Sequence, residues 1–325
     1  MCMEVMNELG TFALLNIPSI STGIAENWII EGNPKNAIGL SLIALSIIFT
    51  LIIFEKFSRR KSKRWSENPA SKDSQGWELK KTRAFLAITI SLVPPIFSFG
   101  IPFFWVLLNI DQIYKGLSLE LFNLSFRTIG LGLFTALITI LLSLIISLAR
   151  RPNKNLLLEI ITNLAGIGYA IPGTVLALSL ISVSSSKLNF IAICLLIWGY
   201  LVRFLTISKG SIDSSLERIS PNLDEAALGL GENWLGIIKK IHLPLLQGPI
   251  FVGSLLVFVD TIKELPITFI LRPFDFDTLS VRIYQYAGDE RMVEAILPAI
   301  FISNFFFIMV SRIGSPNSSR GSWGF

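Results

Sequence analysis

The chain has 325 residues, 52% of them hydrophobic and only 16% charged, with a mean hydropathy of +0.63. That balance excludes a soluble globular protein and a disordered one, and it predicts a polytopic membrane protein. The formal net charge of +5 does not point to nucleic acid, because the basic residues are gathered in the connections between apolar runs.

In chain order, apolar runs of spanning length fall at 37–54, 84–108, 127–148, 156–183, 188–207, 249–271 and 292–311. Each is near the ~20 residues that cross a bilayer as a helix. The runs are continuous and do not alternate, so they predict helices rather than barrel strands. The expected fold is all-α, with about seven transmembrane helices. The N-terminus has no basic stretch followed by an apolar core and a cleavage site, so no signal peptide is expected. Cys2 and Cys194 are far apart and imply neither a disulfide framework nor a metal site.

The segment 55–83 carries Lys56, Arg59, Arg60, Lys61, Lys63, Arg64, Lys72, Lys80, Lys81 and Arg83. The turn after the third run carries Arg150, Arg151 and Lys154, and the 208–248 connection carries Lys209, Arg218, Lys239 and Lys240. The alternate connections, 109–123 and 184–187, hold only Lys115 and Lys187. The positive-inside rule therefore places the basic connections in the cytoplasm. The 272–291 connection, on the predicted outer side, departs from the pattern with Arg272, Arg282 and Arg291.

Shifting the sequence by 256 residues brings its beginning onto its end without a gap. Glu8-Leu9 falls on Glu264-Leu265, Thr22 on Thr278, Gly32 on Gly288 and Phe49 on Phe305. Both copies run from a short polar stretch into an apolar span that ends in a charge, Lys56 or Arg312. Residues 1–56 thus read as the tail of a first copy, and 84–311 as a complete second copy. The basic, polar stretch 57–83, with Asn68-Pro69 and Ser74-Gln75-Gly76, reads as the cytoplasmic linker between them. Residues 312–325 form a C-terminal tail.

The 212–248 loop is the polar block with the most to say. Ser220-Pro221 reads as a helix start, a capping hydroxyl before a proline. Asp224 and Glu225 place negative charge near that helix N-terminus. Leu223, Ala226, Ala227 and Leu230 recur at i, i+3, i+4, i+7 and predict one narrow apolar face. Gly229 and Gly231 are expected to break the helix. Trp234, Ile237, Ile238 and Ile241 predict a second amphipathic helix, which Pro244 is expected to end. Periodicity alone also fits a pair of interfacial helices lying on lipid.

The same block reads Glu225-Ala226-Ala227, three residues, Gly231, nine residues, then Ile241-His242-Leu243-Pro244. It resembles the EAA loop of binding-protein-dependent ABC importer permeases, and every fixed position is matched. Four further stretches are similar to the permease of ferric-iron importers, a fused protein of two halves. They are Tyr169-Ala170-Ile171-Pro172-Gly173-Thr174-Val175-Leu176-Ala177, Lys263-Glu264-Leu265-Pro266, 271–279 and Tyr284-Gln285-Tyr286-Ala287. Thiamine, phosphonate and polyamine permeases are relatives of that branch. The resemblance covers essentially 1–312. It implies a type I ABC importer transmembrane fold in a bacterial inner membrane. It also implies an ABC ATPase subunit that contacts Glu225, Ala226, Ala227, Gly231, Ile241, Leu243 and Pro244. A periplasmic iron-binding protein is expected outside. No cofactor is expected on the chain itself, with ATP and Mg acting through the ATPase. The departure from the family is that most of a first permease half is missing, so a second half or a homodimer is expected to complete the path.

Asp260, Lys263 and Glu264 lie within the 249–271 run, where ionisable groups are costly and face a cavity or a partner. Their i, i+3, i+4 spacing predicts one helix face. They are candidates for the translocation path, or equally a self-compensating ion set. Arg127 and Arg203 lie near span ends and are expected to snorkel without a function. His242, the only histidine, is expected on the surface. Asp275, Asp277, Asp289 and Glu290 lie on the predicted outer side as solvated carboxylates, and no metal site is expected. No G-x-x-x-x-G-K-[ST] loop is present, so the chain is not expected to hydrolyse ATP. The competing reading is a membrane carrier or scaffold that needs no ATPase, which leaves the docking motif without a purpose.

Overall fold

The computed structural model describes Val5 and residues 7–61, 81–111, 118–152, 155–183 and 189–313, with the side chains of 55–61, 183, 189 and 305–313 left aside. Cys2, most of the expected linker, Lys115, Lys154, Lys187 and the tail beyond 313 lie outside the described residues. Every regular element among the described residues is helical, as the continuous apolar runs require. Packing divides the chain into two compact units, Met1–Ile48 with Ser118–Phe325, and Phe49–Leu117. That is a division of packing, and the halves read from the sequence stay a proposal.

The chain begins with α1 (Gly10–Leu14), α2 (Ile20–Ile29) and α3 (Pro34–Lys61). In the second unit, α4 (Thr82–Pro95), a π turn (Ile96–Gly100) and α5 (Ile101–Leu108) follow one another directly. Together they make a run of 27 residues, long and apolar enough to cross a membrane.

Back in the first unit come α6 (Leu119–Arg150), α7 (Leu156–Ala165), α8 (Gly173–Val183) and α9 (Asn189–Leu216). The loop helices α10 (Pro221–Gly229), α11 (Trp234–Ile237) and α12 (Leu243–Leu245) lead into α13 (Gln247–Ile262). The chain closes with α14 (Pro266–Leu271), α15 (Leu279–Gly288) and α16 (Met292–Ile313).

The core is a three-helix bundle of α6, α9 and α13. The buried side of α6 is lined by Gly132, Thr135, Ala136, Thr139, Ser143 and Ser147, small residues that let helices approach closely where lipid gives no hydrophobic drive. Their hydroxyls turn back on their own helix: Ser143 Oγ donates to the Thr139 carbonyl at 2.9 Å. Thr139 and Ser143 are satisfied in this way, while Thr135 Oγ1 and Ser147 Oγ are buried without a partner. Against them pack Leu196, Tyr200, Phe204, Val257, Phe258 and Ile262.

The contacts fix helix directions. Thr139 meets Ser208 and Arg151 meets Leu216, so α6 and α9 run parallel. Ile140 faces Gly253 while Gly132 faces Phe258, so α13 runs antiparallel to both. Parallel α6 and α9 require 156–183 to carry the chain from one end of the bundle to the other. Its two arms are bent by 113°, so it is a broken span rather than a re-entrant loop. The same contacts place Arg151 and the loop after Leu216 at one end.

The spans depart from expectation in one place. The 249–271 run is not one helix: α13 stops at Ile262, and Pro266 opens α14. Proline lacks the N–H a continuing helix would use. Among the described residues, four helices are long and apolar enough to cross, or up to six if each bent pair is one span, and Met292–Asn304 is a shorter apolar helix.

The internal repeat has a structural counterpart. Glu8 Oε1 accepts from the Thr11 amide at 3.1 Å, and Glu264 Oε1 accepts from the Ile267 amide at 3.2 Å. Each caps the short helix that follows, α1 or α14. Leu9, Ala25, Leu265 and Val281 share one buried cluster, two pairs matched by the 256 shift. Beyond α1 the element boundaries follow a register longer by three residues. Ile20 and Leu279 open α2 and α15, and Asn16 and Asp275 hold the preceding left-handed position, each pair 259 apart. A slip of three residues keeps the same helix face, which is why the sequence identities conceal it.

Candidate functional site

The loop at the Arg151 end is built as two short helices around a glycine turn. Ser220 Oγ accepts from the Asn222 amide at 3.3 Å, with Pro221 at the first helical position. At its other end α10 closes in a Schellman arrangement: Gly231 N–H donates to Leu228 O and Glu232 N–H to Ala227 O. Gly231 has φ +87°, a conformation open to glycine and unfavourable to a side chain. Gly229 is still helical, so Gly231 alone makes the turn. Asn233 caps α11, accepting from the Gly236 amide at 2.7 Å.

Pro244 does not end the second arm. A π turn at Ile238–His242 precedes it and α12 continues through it. The missing proline N–H and the bulk of its ring fall where an α-turn would need a bond to the Lys240 carbonyl. Widening to i→i+5 bonding relieves both. The π turn Ile96–Gly100 stands two residues before Pro102 in the same way.

The face that α10 buries is not the one its periodicity predicts. Leu223 is 46% and Leu230 85% exposed, and Leu228 and Leu235 are exposed beside them. Glu225, Ala226 and Gly231 are exposed too, while only Asp224 and Ala227 turn inward. In the second arm Ile237 is buried and Ile241 and Leu243 are half-buried, with Pro244 exposed. The inversion has a cause in charge. Asp224 Oδ2 accepts from Arg151 Nε, and His242 Nε2 lies 3.1 Å from its Oδ1. Arg151 Nη1 and Nη2 donate to the carbonyls of Leu216 and Ile219, both at 2.9 Å. These carbonyls lie at and just past the end of α9, where Leu216 O also accepts from the Ile219 amide at 3.1 Å.

His242 is therefore not a surface residue. It is fully buried, with its ring 5.7 Å from that of Trp234. Burial lowers its pKa below the ordinary histidine value, and Asp224 opposes that shift.

The second constellation lies inside the helix bundle. Glu264 is 5% exposed and pairs with Arg203 at 3.1 Å. It does not share a helix face with Asp260 and Lys263, because α13 ends before it. Those two pair with each other at 2.8 Å, with Lys263 largely exposed. Arg203 does not snorkel. It is buried, stacks on Tyr169 and Phe204, and shares Asn7 Oδ1 at 3.1 Å with the Gly173 amide at 2.5 Å. A side chain at Gly173 would sit 2.5 Å from Arg203 Nη1 and 2.9 Å from Glu264 Oε1, so only glycine admits this approach. Arg203 precedes Leu216 along α9 by about 20 Å at 1.5 Å per residue, which sets the pair deep between the helix ends. Arg127 donates to the Asp275 carbonyl at 3.0 Å, and Asp277 is bound by Arg272 and Arg282.

No family model matches the chain. Over 324 residues it is 27% identical to the Fe(3+)-transport system permease protein FbpB 2 of Haemophilus influenzae, covering 95% of this chain and 62% of that protein. The chain thus spans about 62% of the length of the curated relative it matches. A solved bacterial ABC transporter involved in the import of the acidic polysaccharide alginate aligns over 72% of this chain and 100% of the solved chain, at 13% identity and a TM-score of 0.42. An all-helical chain with several apolar spans, this protein is similar along almost its whole length to an iron-transport permease.

Proposed function

We propose that the chain is the membrane-spanning permease subunit of an ATP-driven importer in a bacterial inner membrane, with ferric iron as its substrate. The observation that carries this reading is the complete docking motif, presented as an exposed patch of Glu225, Ala226 and leucines at one end of the helix bundle. Apolar side chains in water beside a carboxylate suit a protein partner. The charge distribution assigns that end to the cytoplasm, where an ATPase would bind. ATP and Mg act in that partner, and a binding protein delivers substrate on the other side. The similarity to the iron-transport permease supports the substrate. Asp260, Lys263 and Glu264 remain candidates for the path. The pairing of Glu264 with Arg203 removes the free buried acid that an ion-coupled carrier would offer.

A second membrane half completes the path. Residues 1–48 pack into the same compact unit as 118–325. Affinity purification from native membranes tests the reading. The chain should retain a nucleotide-hydrolysing subunit, and Glu225→Lys combined with Gly231→Val should release it while the spans stay inserted. Full iron uptake by that double variant would sink the assignment.

A further inference from the structure

Asp224 stands where three segments meet. Arg151 closes α6, Asp224 lies in the first turn of α10, and His242 ends the π turn of the second arm. The Arg151 fork also grips the end of α9 through Leu216 and Ile219. Apart from Ala227, Asp224 is the only residue of α10 that is buried. Beside the small Ala227 contact, the helix presenting Glu225 therefore has one polar attachment to the bundle, a largely buried charge pair. Apolar contacts slide at little cost, whereas separating opposite charges in a low-dielectric site does not.

We infer that Arg151 and Asp224 are positioning residues that make the docking loop, α6 and α9 move as one body, with the buried His242 ring of the second arm packed against the same point. This rests on the docking reading above, since it takes an ATPase as the source of the movement. A push on the Glu225 face would reach α6 through Asp224 and Arg151, and α9 through the two carbonyls that Arg151 holds. The role is distinct from contact with the ATPase, because Asp224 and His242 are turned away from the exposed face.

The test uses membrane vesicles that hold the full chain with the ATPase and binding protein of its own cell, and radiolabelled ferric citrate as the probe. Asp224→Asn removes the charge, and Arg151→Lys keeps the charge but loses the fork. ATPase retention, ATP hydrolysis and iron taken up per ATP are read together, with amide exchange across 221–244. Both variants should retain the ATPase and hydrolyse ATP. Uptake per ATP should fall between about twofold and thirtyfold, the range over which single substitutions in a coupling network act, less in Arg151→Lys. An unchanged ratio in both variants overturns the inference. So does parallel loss of ATPase retention and loop protection, which marks an anchor of stability only. A parent chain that retains no ATPase overturns the docking reading itself, and is recognised before any substitution is made.

Discussion

Two buried charge clusters occupy this protein, and they differ in what surrounds them. Arg203 and Glu264 are enclosed in the helix bundle, with aromatic rings on the guanidinium and Asn7 as an extra acceptor. Arg151, Asp224 and His242 lie under a loop, with the Arg151 and Asp224 side chains still 14% and 11% exposed. In the first cluster the neighbours are fixed by the packing of whole spans. In the second, the charges themselves hold the segment in place. Removing a charge from the first should therefore damage the fold, and removing one from the second should loosen a local element.

The largest effect sharpens that contrast. Arg203→Leu leaves Glu264 buried without its partner and should destabilise the helix bundle by about 3–5 kcal/mol, read as a lowered unfolding temperature in detergent. Arg203→Met with Glu264→Leu should recover most of the loss, because an apolar pair needs no desolvated charge. Gly231→Val forces a branched side chain into φ +87° and should cost about 1–3 kcal/mol. Its cost should be confined to faster amide exchange in 221–244, with the spans unaffected. Equal damage to both regions would break the distinction between them. Asn7→Ala should cost only about 1 kcal/mol, because the Gly173 amide loses its acceptor while Arg203 keeps Glu264.

The smallest effect is pH-dependent. His242 has a lowered pKa in the folded loop, so the unfolded loop takes up its proton more readily. Loop stability should then rise with pH, and be lost as pH falls through the ordinary histidine value of about 6.5 toward the lowered one. Arg151 and Asp224 are the charged groups facing the ring, and Asp224 limits the size of the effect. Amide exchange across 234–242 at successive pH values should show it, and His242→Gln should abolish it.

The spans and the two loop helices were legible because they depend on local pattern: a run of apolar residues, a serine before a proline, a glycine at a turn. The charge clusters were not, because their partners are remote. Arg203 and Glu264 are 61 residues apart, Arg151 and Asp224 73, and Asn7 and Arg203 196. Spacing within one helix grouped Glu264 with Asp260 and Lys263 and could not offer Arg203. The same limit explains α10. Its leucine stripe satisfied the helical period, but the period does not say which face a buried carboxylate will claim. His242 read as a surface residue for the same reason, since its burial depends on Asp224 and Trp234 in other turns. The intact motif was the stronger signal, because it fixes residues on both arms at once.

The π turn before Pro244 gives the motif's spacing a mechanical meaning. A π turn holds one residue more than an α-turn, and each helical residue turns the chain by about 100°. The nine residues between Gly231 and Ile241 thus lead into a deliberate phase shift. Because Pro244 keeps the turn wide, deleting one residue from Ile238–His242 would rotate Trp234 and Ile237 by roughly that angle relative to Pro244. The spacing is a gear ratio between the arm that is exposed and the helix that enters the membrane, and a single-residue change in length would mesh the wrong faces.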